Sequence, residues 1–143
     1  MRTSYFANLK NTKYPIAICR YPPKWYSGIV YSKLAPSENL LKDFRHLKEQ
    51  YGKSGTAYFD KSMDNLLIEY FKDRYGRETL SNLDPFRTYN YLYSLYPNAT
   101  PRINEDDITL ICFEKPSVFC HRYLVADWFE SNGLFCVSDE MVF

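Results

Sequence analysis

One almost unbroken apolar segment, residues 108–113, constrains the fold more than any other part of the sequence. A short run of this kind is typical of a strand that is buried on both faces, as in a parallel sheet. Glu114-Lys-Pro-Ser117 breaks the run, and apolar residues then recur at helical spacing, ending with Trp128 and Phe129. Asn132-Gly133 is a helix stop signal. The segment therefore predicts a buried strand, a tight loop and a helix whose Trp128 packs on the sheet.

The remaining sequence adds further strands and helices. Strands are predicted over residues 2–9, 14–19 and 134–137, and helices over residues 37–52, 62–75 and 84–96, with residues 20–36 and 53–60 as loops. Ser37 and Asp84 are expected N-caps, Gly76 is an expected helix stop, and Leu66 and Tyr70 are expected to face inward. This alternation predicts one α/β domain over residues 1–143, a Rossmann-like three-layer fold with a mostly parallel sheet flanked by helices.

Composition limits the class of protein. The net charge of +1 gives no general attraction to nucleic acid, although 18% of the residues are aromatic and the sequence has 14 tyrosines. No apolar run approaches the length of a membrane span, and the N-terminus lacks the apolar region of a signal peptide, so no membrane partner is expected. The four cysteines are therefore expected to be reduced thiols in a cytoplasmic protein.

Two arginines follow apolar strands in the predicted sheet. Arg20 comes after residues 14–19, and Arg122 comes after the strand and loop of residues 108–121. Because the carboxyl ends of parallel strands meet at one edge, we expect both guanidinium groups to reach one anion site. Glu114 is expected to orient an Arg or a His there. The alternative is that one Arg pairs with Glu114 and only connects the two loops.

Cys120 and His121 are the candidate catalytic residues. If Ser117 caps the following helix and contributes to the site, Cys120 lies in the first helical turn, where unpaired N–H groups lower the pKa of a thiol. His121 is then a candidate base. The alternatives are a buried structural cysteine and a histidine that holds the loop through a backbone carbonyl.

Other residues suggest weaker hypotheses. Lys24 and Trp25 lie in the long predicted loop, where a cation and an aromatic ring are suited to stack a base, or where Trp25 only anchors the loop in the core. A zinc site from Cys112, Cys120 and His121 matches no standard finger or ribbon spacing, so no metal or cofactor is predicted.

The motifs also carry a family resemblance. Cys112-Phe-Glu114, a loop with a proline, and Cys120-His121-Arg122 resemble the C-terminal signature of the domain-of-unknown-function family 488. Residues 16–20, followed by Pro22-Pro23, are similar to an early strand of that family that ends in Arg. The family usually has Asp where this chain has Ile18. Lys24-Trp25 and Leu34-Ala-Pro-Ser37 are similar to a branch found on phages and mobile elements. The family has no settled activity, so the resemblance implies a fold more than a function.

The leading functional prediction is binding, with or without processing, of a phosphate-bearing nucleotide or nucleic-acid-derived ligand. Arg20, Lys24, Trp25, Glu114, Ser117 and Arg122 would bind it, and Cys120 and His121 would perform any chemistry. The alternative is a non-enzymatic phage accessory or counter-defence protein that sequesters a nucleotide signal or binds a host protein. The sequence leaves enzymatic activity and oligomeric state open.

Overall fold

A four-stranded parallel sheet lies at the centre of the fold. The computed structural model describes residues 1–52, 61–116 and 118–140. Its strands are β1 (Arg2–Tyr5), β2 (Tyr14–Ala17), β3 (Ile29–Val30) and β4 (Ile108–Cys112), in the spatial order β1-β4-β2-β3. All the pairings between these strands are parallel. Every residue of β4 is buried, as its apolar sequence predicts.

Within the described residues, four α-helices accompany the sheet. They are α1 (Glu38–Leu47), α2 (Lys61–Glu78), α3 (Pro85–Ser94) and α4 (His121–Ser131). The Ser37 hydroxyl accepts a hydrogen bond from the Leu40 N–H at 3.0 Å, and the Asp84 carboxylate caps α3 in the same way. Gly133 follows α4 with φ of +77°, a left-handed conformation that favours glycine. These starts and stops confirm the predicted caps. No helix within the described ranges is long and apolar enough to cross a bilayer.

Hydrophobic clusters cover both faces of the sheet. Ile16 and Leu110 belong to a larger cluster to which all four helices contribute. Ala17 and Ile111 belong to a smaller cluster that includes Phe6 and residues from the loop after β2. Successive strand residues point to opposite faces, so the two clusters lie on opposite sides of the sheet. The predicted three-layer α/β fold with its parallel sheet is confirmed.

All four predicted strands are shorter than expected, since those predicted over residues 14–19 and 108–113 end at Ala17 and Cys112 and the other two differ more. The first ends at Tyr5, and a 3-10 helical segment, Phe6–Asn11, replaces its second half. Within residues 134–137 only Val137 pairs with the sheet, through a bridge to Arg2. The N–H of Leu134 donates instead to the carbonyl of Phe129, at the end of α4. This N–H is therefore not available for pairing with a neighbouring strand. The predicted loop of residues 20–36 contains β3 and a short 3-10 turn, and that of residues 53–60 lies outside the described residues.

Helix α2 also differs from its prediction. It continues through Gly76 to Glu78, and the salt bridge between Arg74 and Glu78 spans the glycine at 2.9 Å. Its inward face passes through Leu67 and Phe71, while Leu66 is 63% exposed and Tyr70 is 37% exposed. The expectation that Leu66 and Tyr70 face inward is therefore wrong. The apolar sequence of α2 covers adjacent faces of the helix, and only tertiary packing selects between them.

The burial of α4 generates a prediction about stability. Phe129 is fully buried, whereas Trp128, the expected sheet-packing residue, is only half-buried beside it. Phe129→Ala should therefore lower the free energy of unfolding by about 3–5 kcal/mol, as expected for a large buried aromatic side chain. Trp128→Ala is the matched control and should cost clearly less. Urea denaturation of both variants tests this, and a larger loss in the Trp128 variant would contradict it.

Candidate functional site

A cavity of about 820 Å³ opens at the carboxyl ends of β2 and β4. The loop after β2 contributes Arg20 to its wall, and the loop after β4 contributes Glu114. Cys120 and His121 line the same cavity at the start of α4. Four of the predicted site residues thus meet in one concave site, at the edge of the sheet where open α/β folds bind ligands.

His121 is held in a defined orientation. Its side chain is buried, and its Nε2 lies 2.8 Å from the carbonyl oxygen of Ile18. A carbonyl oxygen can only accept, so Nε2 carries the proton and donates it. This bond confirms the expected contact with a backbone carbonyl. The second ring nitrogen remains available for acid–base chemistry.

The second ring nitrogen of His121 faces two thiols. Its Nδ1 lies 3.7 Å from the Sγ of Cys112 and 3.9 Å from the Sγ of Cys120. Because Nε2 donates to the Ile18 carbonyl, Nδ1 is the ring nitrogen that faces the sulfur atoms and can exchange a proton with them. Cys112, which sequence reasoning considered only as a metal ligand, is therefore part of the thiol–imidazole group.

The two thiols differ in acidity. The hydrogen bond with Cys112 lowers the pKa of Cys120 well below the usual thiol value, and His121 and Arg122 lower it further against the opposing effect of burial. The pKa of Cys112 is raised well above that value by its hydrogen bond with Cys120 and by burial. Cys120 is therefore the more acidic of the two thiols and the one favoured as a thiolate.

Cys120 lies one position before the helix. It is the N-cap of α4, with extended backbone angles, so the expectation that it occupies the first helical turn is wrong by one residue. The expected cap, Ser117, lies outside the described residues. Because the orphan N–H groups of a helix belong to its first residues, the Cys120 sulfur remains beside the positive end of α4.

Arg122 is not part of the cavity wall. Its side chain is fully buried, and its Nε and Nη2 each donate to the Asp139 carboxylate at 3.0 Å. Nη2 also donates to the Tyr123 hydroxyl, and Thr3 donates to Asp139 from β1. Successive helical residues are rotated by about 100°, so one residue after His121 the side chain faces a different surface. The expectation that Arg20 and Arg122 form one anion clamp is therefore wrong.

Arg20 remains in the cavity and is partly fixed. Its Nε donates to the carbonyl of Pro36 at 3.0 Å, which connects the loop after β2 to the start of α1. Arg45 and Lys48, which sequence reasoning missed, bring two more cations to the wall from α1 and the turn after it. No local motif marks them, because only the packing of α1 brings them there.

Lys24 and Trp25 lie outside the cavity. Both are exposed, and the Trp25 ring packs edge-on against Phe6 at a centroid distance of 6.0 Å. Phe6 also contacts Phe113, which lines the cavity, at 4.9 Å. Tyr21 is the aromatic residue of this loop that reaches the cavity wall. The structure thus separates Lys24 and Trp25 from Cys120 and His121.

The Arg122–Asp139 pair predicts a large stability effect. Asp139→Ala should lower the free energy of unfolding by about 3–5 kcal/mol, because it leaves a buried guanidinium without its carboxylate. The exposed neighbour Glu140 provides the control, and Glu140→Ala should be nearly silent. Thermal and urea unfolding of both variants measure the difference, and equal effects would contradict a buried ion pair.

The lowered pKa of Cys120 predicts its reactivity. Its alkylation by iodoacetamide should continue as the pH falls below about 8.5, where an ordinary thiol becomes protonated. Burial raises the pKa of Cys136 to about 12, so that thiol is an internal control that should stay unmodified in the folded protein. Mass spectrometry with fragment sequencing assigns each site. An alkylation rate at Cys120 that follows the titration of an ordinary thiol would refute the assignment.

Comparison with known proteins identifies a family. The family model described as the active DUF488-N3 subclade, DUF488-N3a, matches residues 8–133. The match includes β2, β3, β4 and all four helices, together with Cys112-Phe-Glu114 and Cys120-His121-Arg122. No match was found among curated proteins or among solved structures. On the extent of the family match, the chain belongs to the DUF488-N3a family.

Proposed function

We propose that the protein is a cysteine-dependent enzyme that binds a phosphate-bearing nucleotide or a related molecule in the cavity. The observation that carries the proposal is the Cys120 sulfur on the cavity wall, with the Nδ1 of a fixed His121 at 3.9 Å. A thiol, a base and a group that orients the base are the parts of an activated nucleophile. The matching family is itself described as an active subclade, which agrees with this proposal.

The chemistry follows from the positions of the side chains. His121 Nδ1 takes the Cys120 proton, and the thiolate attacks an electrophilic atom of the ligand. The bond from that atom to its leaving group breaks, the leaving group keeps the electron pair, and Nδ1 returns the proton to it. Water then gives a proton to Nδ1 and attacks the same atom, the bond from that atom to the Cys120 sulfur breaks with its electron pair on sulfur, and Nδ1 returns the proton to the sulfur. Arg122 acts through its fixed charge, so it is a positioning residue in this scheme.

The cavity wall supports a ligand with both an aromatic ring and an anionic group. Phenylalanine and tyrosine side chains supply ring faces, and Arg20 supplies a planar donor group suited to phosphate. Three basic residues of the wall are balanced by three acidic ones: Arg20, Arg45 and Lys48 against Glu49, Asp64 and Glu114. Such a wall suits a small zwitterionic or nucleotide-like molecule better than a long polyanion.

Binding without turnover is the second candidate function. Cys120 is only 4% exposed, which favours a sulfur that shapes the site over one that reacts. In that case the protein would sequester a nucleotide signal or bind a host protein, as expected of an accessory factor from a phage or mobile element. The phage branch stays a prediction.

Variants at the cavity separate the two candidates. The probes are nucleoside mono-, di- and triphosphates, with calorimetry for affinity and mass spectrometry for turnover. Cys120→Ser should abolish turnover and retain binding. Arg20→Ala should weaken binding by about 1.5–3 kcal/mol, as for the loss of a charged hydrogen bond. The exposed Lys24 lies outside the cavity, and Lys24→Ala is the matched control.

The outcomes are distinct. Turnover by the wild type that disappears in the Cys120 variant supports the enzyme. Tight binding with no turnover in the wild type supports the second candidate. Turnover that survives Cys120→Ser, or no binding of any probe, contradicts the proposed function.

A further inference from the structure

Three metal-binding donor atoms converge at the wall of the cavity. The Sγ atoms of Cys112 and Cys120 and the Nδ1 of His121 all lie within 4.8 Å of one another, and the three side chains are buried. The two measured nitrogen–sulfur separations are 3.7 and 3.9 Å. A tetrahedral zinc site, with bonds of about 2.3 Å to sulfur and about 2.0 Å to nitrogen, holds its donors about 3.5–3.8 Å apart. Shifts of a few tenths of an ångström would bring the nitrogen into range of both sulfur atoms.

The orientation of His121 gives independent support. A histidine that ligates a metal usually donates its other ring N–H to a carboxylate, a backbone carbonyl or water, which fixes the tautomer and aims the lone pair. His121 makes this bond to the carbonyl of Ile18 at 2.8 Å. Its Nδ1 lone pair is therefore already directed toward the sulfur atoms. A packing histidine would not need to leave this nitrogen facing two thiols.

Charge also suits a divalent cation at this position. Burial makes two neighbouring thiolates costly unless a cation compensates their charge. A doubly charged cation neutralises two thiolates and removes that cost. Thiolate and imidazole donors together select zinc over magnesium and calcium, which prefer oxygen.

We propose that Cys112, Cys120 and His121 bind one zinc ion, with the fourth coordination position facing the cavity. Three protein ligands and one open position are the arrangement of a zinc site that can exchange a water or a ligand. The spacing of the ligands in the sequence hides this site, because Cys112 ends β4 while Cys120 and His121 begin α4. Only the loop between these two elements brings the donors together.

Zinc binding would also regulate the proposed chemistry. A metal bound to the Cys120 sulfur occupies the electron pair that a nucleophile needs, so the zinc-bound protein would not attack a ligand through that sulfur. This consequence rests on the proposed function, whereas the zinc site itself does not. Zinc and iodoacetamide should therefore compete for Cys120.

Metal titration of the full chain tests the site. Protein stripped with a chelator is titrated with zinc by calorimetry and with Co²⁺ by absorption spectroscopy. We expect one equivalent of zinc and thiolate-to-cobalt charge-transfer bands. Cys112→Ser and Cys120→Ser should each weaken zinc binding at least tenfold, while Cys136→Ala, which removes a buried thiol outside the group, should not. Absence of stoichiometric binding, or binding that survives both Ser variants, overturns the proposal.

Alkylation of the wild-type protein tests the site even if a variant does not fold. One equivalent of zinc should protect Cys112 and Cys120 from alkylation, and a chelator should remove the protection. Cobalt bands without thiolate character, or alkylation of Cys120 unchanged by zinc, overturn the site. Zinc protection in a protein that turns over no nucleotide supports the site while the proposed function fails. Turnover that requires Cys120, in a protein that does not bind zinc, supports the proposed function while the zinc site fails.

Discussion

The arrangement of the site depends on the hydrogen bond between the Nε2 of His121 and the carbonyl of Ile18. The N–H of Ile18 pairs with Ile111 of β4 at 3.0 Å, so its carbonyl stands where the β2 ladder ends. The His121 side chain donates a hydrogen bond to this carbonyl and so connects the start of α4 to the sheet. Its other nitrogen then faces Cys112 at the end of β4 and Cys120 at the cap of the helix. One bond thus joins three segments of the chain around a reactive group.

An ion pair with a buried arginine lies next to this group, outside the cavity wall. Arg122 is held by Asp139, which also bonds to Thr3 of β1, so the cation has a fixed position close to the helix start. The hydrogen bond with Cys112, the imidazole and the charge of Arg122 all lower the pKa of Cys120, although burial opposes them. An anionic sulfur at a cavity wall can act as a nucleophile or as a metal ligand. The negative charge favoured on the Cys120 sulfur therefore supports both the proposed enzyme and its proposed inhibition by zinc.

The sequence predicted those features that depend on local patterns. The apolar run predicted β4, and the helical spacing of apolar residues predicted α4. Ser37 and Asp84 marked the starts of two other helices. The rule that parallel strands end at one edge brought Arg20 to the same cavity as Cys120. The rule failed for Arg122, which lies in a helix. Each helical residue is rotated by about 100° from the one before, so the residue at which the helix begins decides which side chains face the cavity. Cations contributed by α1 had no local signature at all, since only tertiary packing places them.

The state of the His121 ring tests this account most directly. The chain has two histidines, so long-range ¹H–¹⁵N spectra of protein labelled with ¹⁵N-histidine resolve His46 and His121 separately. We expect the Nε2 of His121 to stay protonated and protected from exchange, because it donates to Ile18. Its Nδ1 should respond when Cys120 is alkylated or when zinc is added. A ring protonated only at Nδ1, or an Nε2–H that exchanges as fast as that of an exposed histidine, would contradict the bond on which the site depends.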